Sequence, residues 1–184
     1  MTAPQGVALP LKTVRLGTGD STNGGEFEAM VVLRPLPGGR RESGLPPRLG
    51  TPAPALPDTL KSARGGDVPD LKGREHLLFF WATWCVPCKA ALPEVMAFAE
   101  AKGMPALAIT DEEQATVAKF LDGWTRPFFE SVAVDSYRQT FISYAISGTP
   151  TIVLVDAGGV IRHRQVGYSV KDGLKVDGWR WSGR

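Results

Sequence analysis

The sequence predicts an α/β protein in which a central mixed β-sheet is flanked by helices, preceded by an N-terminal extension carrying one strand of its own. Three observations predict this. Leu77-Leu78-Phe79-Phe80-Trp81-Ala82 is an unbroken apolar run, the pattern of a central strand buried on both faces. Strand-like and helix-like segments then alternate as far as residue 145, which requires parallel strands joined by crossovers. Last, Pro150–Val155 and Val160–Val166 flank Asp156-Ala157-Gly158-Gly159, a turn signal that makes the final pair antiparallel.

Each element has its own signal. A helix is expected from about Val86 to Lys102, closed by Gly103 and interrupted by Pro93, which predicts a kink. Pro105 to Ile109 reads as a second buried strand. Thr110 with Glu113 spells a capping box opening a helix that runs to about Asp122. Val132 to Val134 is a short strand, and Asp135 is expected to cap a helix with Tyr137, Phe141, Tyr144 and Ala145 on one face. Gly173 and Gly178 limit any final helix from Ser169 to a short one, with Trp179 and Trp181 left to pack down or make a contact.

The N-terminal part has a different texture. Ten of the fifteen prolines and eleven of the twenty-one glycines fall in residues 1–70, so regular structure is expected mainly beyond them. One strand is expected there, because Phe27, Ala29, Val31 and Leu33 alternate with Glu28, Met30, Val32 and Arg34. Gly38 to Arg48 reads as a linker. The division is an extension over residues 1–48 and a main domain over residues 49–184.

Composition narrows the function. With 43% hydrophobic and 22% charged residues the chain has the balance of a globular protein. A net charge of +2, with basic and acidic residues interleaved, gives no reason to expect nucleic acid as a partner. No apolar window approaches the roughly 18 residues of a membrane helix, and the first thirty residues lack the apolar run of a secretory signal. The two cysteines, three apart, cannot staple a chain of 184 residues, so Cys85 and Cys88 are read as chemistry.

A thiol attacks only as thiolate, from a starting pKa near ~8.5. Cys85 lies just after the apolar strand, at the start of a helix whose free N–H groups and dipole favour the anion. Cys88, one turn inward, is shielded yet within bonding reach. That arrangement supplies an attacking and a resolving thiol for disulfide exchange. A zinc site would need His76 and His163, which are unpatterned and distant in sequence, and no metal is expected.

Phe80-Trp81-Ala82-Thr83-Trp84-Cys85-Val86-Pro87-Cys88-Lys89 resembles the active-site run of the thioredoxin superfamily, and most closely its TlpA/ResA branch of bacterial extracytoplasmic oxidoreductases. Gly50-Thr51-Pro52-Ala53-Pro54 and Leu71-Lys72-Gly73-Arg74 are similar to that branch's opening motif and its lead into the central strand. Gly148-Thr149-Pro150-Thr151, Val155-Asp156 and Gly159-Val160-Ile161 are similar to its cis-proline loop and hairpin. The match covers about residues 49–168. It implies a thioredoxin-like fold, a cis Thr149–Pro150 bond, and a docking groove in which the Thr149 backbone turns toward Cys85 and pairs with a substrate strand. It also implies a periplasmic or membrane-attached location, with membrane anchoring left to a segment outside this chain; a cytoplasmic location is the alternative.

The expected function is thus reduction of protein disulfides, with Cys85 attacking, Cys88 resolving, and no cofactor beyond the two sulfurs. The expected partners are protein disulfide substrates and an upstream thiol reductant, the protein acting as a monomer. Reduction is favoured over oxidation because Pro87 places no donor beside the second cysteine. Trp84 is expected on the apolar rim around Cys85, where a target docks, with Pro87, Thr149 and Pro150 as the other substrate-binding residues, and Trp81 in the core. Trp124, Phe128 and Phe129 read as a loop anchor, Lys89 as a solvated side chain, and His163 as an exposed strand residue.

Two departures from the family pattern stand out. Phe79 occupies the place of the buried Asp of thioredoxins, and Ala91 that of the Glu found in many TlpA/ResA relatives, leaving the Cys88 proton without an acceptor. Alternative functions are a copper chaperone or a thioredoxin-like interaction module. A thiol peroxidase is disfavoured because Ala82 stands where a peroxidatic cysteine needs Thr or Ser three residues earlier.

Overall fold

The computed structural model describes residues 45–179. Its elements are β1 (Lys61–Ser62), β2 (His76–Phe80), α1 (Val86–Ala101), β3 (Ala106–Thr110), α2 (Gln114–Gly123), β4 (Ser131–Val134), α3 (Gln139–Ser143), β5 (Thr151–Val155) and β6 (Ile161–Val166). The strands form one sheet in the order β1-β4-β3-β2-β5-β6. β2, β3 and β4 run parallel, whereas β5 is antiparallel to β2 and β6 to β5. The expected mixed sheet and closing hairpin are both present. β1, a two-residue edge strand antiparallel to β4, had no signal in the sequence. The expected strand at residues 27–33 and residues 38–44 of the expected linker lie outside the described residues.

Alternation along β2 divides the interior into two layers. Leu77 and Phe79 face α1 and α2, packing with Leu92, Val95, Phe98, Val117 and Leu121. Leu78 and Phe80 face the other side, with Phe141 and Tyr144. All five residues of β2 are buried, as the unbroken apolar run requires. Because β2, β3 and β4 are parallel, residues 81–85, 111–113 and 135–138 all emerge at one end of the sheet. β5 begins at that same end, where Thr151 pairs with Phe80.

Helix α1 follows its expected span, and Gly103 at φ 58° ends it in a conformation that costs glycine little. The capping box fails. α2 begins at Gln114, its N-cap Glu113 makes no side-chain cap, and Thr110 is instead the last residue of β3. The helix expected after Asp135 contracts to Gln139–Ser143, with Arg138 in the left-handed region at φ 55°. Asp135 still caps it, but across a loop: its carboxylate accepts from the backbone N–H groups of Gln139, Thr140 and Phe141 at 2.7–3.0 Å. Tyr137 therefore precedes the helix and is exposed, while Phe141 and Tyr144 are buried.

No helix follows Ser169 among the described residues. That segment folds over the α1 face of the hairpin. The Gln165 side chain donates to the Gly167 and Gly173 carbonyls and accepts from Lys175 N–H, Leu174 is buried, and the Trp179 ring meets Phe98 edge-on at 5.1 Å. Trp181 lies outside the described residues. In the β5–β6 turn, the Asp156 carboxylate accepts from Val160 N–H and from the Arg162 guanidinium. The first of these bonds, with help from the second, holds Asp156 below its ordinary carboxylate range.

His163 corrects another expectation. A register shift between Leu154 and Val155 sets it opposite Leu154, on the α1 face, where it is half-buried and Nε2 has no hydrogen-bond partner among the described residues. Burial lowers its pKa below 6.5, against an opposing pull from Asp177.

Two predictions follow from these contacts. Asp135→Ala strips three backbone donors of their partner and should cost about 1–3 kcal/mol, read as a lower urea midpoint with an unchanged m-value. Because the folded His163 binds its proton more weakly than the unfolded chain does, stability should be fully present above pH 6.5 and fall as the pH drops below it. His163→Gln should flatten that part of the urea-midpoint profile.

Candidate active site

Cys85 and Cys88 are joined in a disulfide, with Cα atoms 5.2 Å apart. Cys85 is the N-cap of α1 and its Sγ accepts from Cys88 N–H at 3.2 Å. Pro87 fits the first helical turn, where no intrahelical N–H bond is lost. The helix end therefore faces the Cys85 sulfur as the sequence implies, and the same N–H can stabilise a thiolate after reduction. Access differs from expectation: Cys85 is as enclosed as Cys88, with exposures of 2% and 1%. The sulfurs pack into the α1-side core among Phe79, Trp81 and Ala82.

The loop leading to Cys85 is short and closely tied. Trp81 N–H donates to Ile109 C=O, extending the β2–β3 ladder by one residue, and Cys85 N–H donates back to Ala82 C=O. Trp84 lies between them, 72% exposed, and Val86 beyond the sulfur is equally exposed. The apolar rim expected around Cys85 thus exists, although the sulfur lies beneath it. Trp81 is in the core.

Across the sheet, the Thr149–Pro150 bond is cis. Pro150 is buried and its carbonyl accepts from Gly167 N–H at 2.7 Å, which fixes the loop to the end of β6. Thr149 is only partly buried. Since Thr151 pairs with Phe80, Thr149 and Pro150 lie at the same end of the sheet as the residues leading to Cys85.

The neighbouring side chains are less solvated than expected. Lys89 Nζ sits over the Phe120 ring at 5.2 Å and the Trp124 ring at 5.9 Å, a cation–π contact in place of a free side chain. Those rings belong to a cluster that continues through Phe128 to Trp81 and through Phe129 to Phe79. The expected anchor formed by Trp124, Phe128 and Phe129 is therefore real, and it braces the strand that delivers Cys85.

Positions 79 and 91 hold buried Phe and Ala, so neither of the family's acids faces the sulfurs. Sequence reasoning missed two carboxylates. Glu94, 1% exposed on α1, accepts from the Tyr168 hydroxyl at 2.7 Å. Glu112, just beyond β3, accepts from both the N–H and the hydroxyl of Thr83. Charged residues without a motif carry no positional signal in a single sequence; Tyr168 and Thr83 mark these two only once the fold brings them together.

The histidines lie elsewhere. His76 opens β2, and His163 pairs with Leu154, which itself faces Leu77, so both sit toward the end of the sheet remote from Cys85. Among the described residues no group of three His, Cys, Asp or Glu side chains could hold a metal ion. A hollow between residues 53–73 and the turn at 156–159 also lies at that remote end.

Residues 48–178 match the Redoxin family. The DsbE thiol:disulfide interchange protein of Pseudomonas aeruginosa is 34% identical over 122 residues, covering 65% of this chain and 67% of that protein. The thiol-disulfide oxidoreductase ResA of Bacillus cereus is 29% identical over 132 residues, covering 70% and 75%. Among solved structures, a Chlorobium tepidum protein described as a DsbE thiol:disulfide interchange protein superposes with a TM-score of 0.57 at 31% identity, covering 68% of this chain and 89% of that one. With the dithiol at the start of α1 and the cis-proline loop at the same sheet end, the chain belongs to the Redoxin family and is a TlpA/ResA-like thiol:disulfide oxidoreductase of thioredoxin-like fold.

Proposed function

We propose that the protein reduces disulfides of protein substrates through its Cys85-Val86-Pro87-Cys88 dithiol. The observation that carries this reading is a dithiol at a helix N-terminus with no cationic or histidine donor placed between the sulfurs, Pro87 supplying none. Nothing in that arrangement stabilises the Cys85 thiolate beyond the helix end itself. A poorly stabilised reduced form gives its electrons away readily.

In the working cycle the Cys85 thiolate attacks one sulfur of a target disulfide, forming a Cys85–target bond and releasing the other target sulfur as thiolate. Cys88 then loses its proton and attacks Cys85 Sγ, closing the Cys85–Cys88 disulfide and expelling the second target thiolate. Two electrons pass to the target, and an upstream thiol reductant restores the dithiol by the same exchange in reverse. The cycle uses no cofactor beyond the two sulfurs. Trp84, Val86, Thr149 and Pro150 form the docking surface, and because Cys85 is enclosed, docking has to bring the target sulfur in beside that rim. We place the protein, as a monomer, in the extracytoplasmic setting of the TlpA/ResA branch that its sequence resembles.

Cys85→Ser should abolish insulin reduction, whereas Cys88→Ser should accumulate a mixed disulfide, seen as a species on a non-reducing gel that dithiothreitol removes. Stoichiometric copper binding with no cysteine-dependent turnover would instead support the metallochaperone alternative. With Phe79 and Ala91 in place of acids, Cys88 titrated in Cys85→Ser should show a pKa above ~8.5, the unperturbed thiol value. A value well below ~8 would show that an acceptor is present.

A further inference from the structure

Glu112 makes a set of contacts that the exchange cycle does not use. Its Oε2 accepts from Thr83 N–H at 2.6 Å and its Oε1 from Thr83 Oγ1–H at 2.7 Å. The buried Thr110 at the end of β3 secures the same carboxylate, its hydroxyl donating to Oε2 at 3.2 Å and accepting from Glu112 N–H at 3.4 Å. Next to it, Asp111 pairs with Arg138 at 3.2 Å, tying this corner to the β4–α3 turn. Thr83 is two residues before Cys85 and immediately before the exposed Trp84. Among the described residues its backbone N–H has no backbone acceptor.

A carboxylate accepting two donors from one residue fixes that residue in position and orientation, as a single hydrogen bond cannot. We infer that Glu112 is the positioning residue of the Cys85 loop: gripping both donors of Thr83, it sets where Trp84 and Cys85 stand relative to β3 and so governs exchange with docked protein disulfides. Charge adds a second effect. Two residues span at most about 7 Å, which puts the carboxylate on the order of 10 Å from the Cys85 sulfur. At that range a negative charge disfavours the thiolate. The grip and the charge act in one direction functionally, giving a well-placed sulfur whose reduced form is not over-stabilised.

The inference rests on the reductase reading, and the test separates the two. Glu112→Leu removes both acceptors along with the charge, Glu112→Gln removes the charge alone, since its amide oxygen can accept from Thr83 N–H while its amide N–H donates to Thr83 Oγ1, and Thr83→Val loses the hydroxyl. Glu112→Leu and Thr83→Val should each lower kcat/KM for insulin reduction about tenfold. The double variant of Glu112→Leu with Thr83→Val should be no slower than Glu112→Leu alone, since both break the same contact. Thr83→Ser, which keeps both donors, should restore the rate lost in Thr83→Val. In parallel, the pH dependence of iodoacetamide alkylation should show the Cys85 pKa lowered in Glu112→Gln at low salt, and unchanged in Thr83→Val. A purely structural role would not give that charge-specific shift. Wild-type kcat/KM in Glu112→Leu, or an unshifted Cys85 pKa in Glu112→Gln, would overturn the inference, as would additive losses in the double variant. If the wild type fails to reduce insulin, the reductase reading falls, and the alkylation titration decides the Glu112 inference alone.

Discussion

The site depends on β2 being held from both faces and both edges. Its five residues are buried, β3 pairs along one side in parallel, and β5 pairs along the other in antiparallel. Full burial of side chains such as Leu77, Leu78, Phe79 and Phe80 stabilises by about 1.5–3 kcal/mol each, relative to leaving them exposed. That rigidity puts the strand's last residue at a fixed place. The chain can then turn within five residues into α1 and hold Cys85 at the helix N-cap. Because β5 pairs with the same strand, the Thr149–Pro150 loop is positioned by the element that delivers the sulfurs.

The surroundings of the disulfide are built to restrain as well as to react. Above the α1-side core, the aromatic cluster from Phe79 to Trp124 takes up the Lys89 ammonium, so the cation beside Cys88 lies against rings. On the far side, Tyr168 joins the end of β6 to Glu94 on α1, next to the backbone bond that secures Pro150. Glu112 secures the remaining approach. Both carboxylates are occupied by hydrogen-bond donors, Glu94 by Tyr168 and Glu112 by Thr83, so the proposed dithiol chemistry relies mainly on the helix end.

Much of this was legible in the sequence because the signals were local. An unbroken apolar run has one plausible home in a mixed sheet, and Asp156-Ala157-Gly158-Gly159 can only turn the chain sharply. Cys85 at a strand-to-helix junction carried its chemistry in its position. What failed were features decided at a distance. The capping box marks Thr110 as a helix cap because it is a local pattern, but pairing with β4 extends β3 through it. The bulge in β6 turned His163 inward, and no composition rule anticipates a register shift. Lys89 was read as solvated because its rings, Phe120 and Trp124, lie more than thirty residues away. Glu94 and Glu112 were unreadable for the same reason.

The central claim is that the dithiol is a donor of electrons, its reduced form stabilised by little besides a helix N-terminus. The measurement that tests it most directly is the reduction potential of the Cys85–Cys88 couple, from equilibrium with a glutathione redox buffer. A value near that of thioredoxin, about −270 mV, is the result this account predicts. A value near the strong oxidants, about −120 mV, would contradict it, because it would require a thiolate far better stabilised than these residues provide.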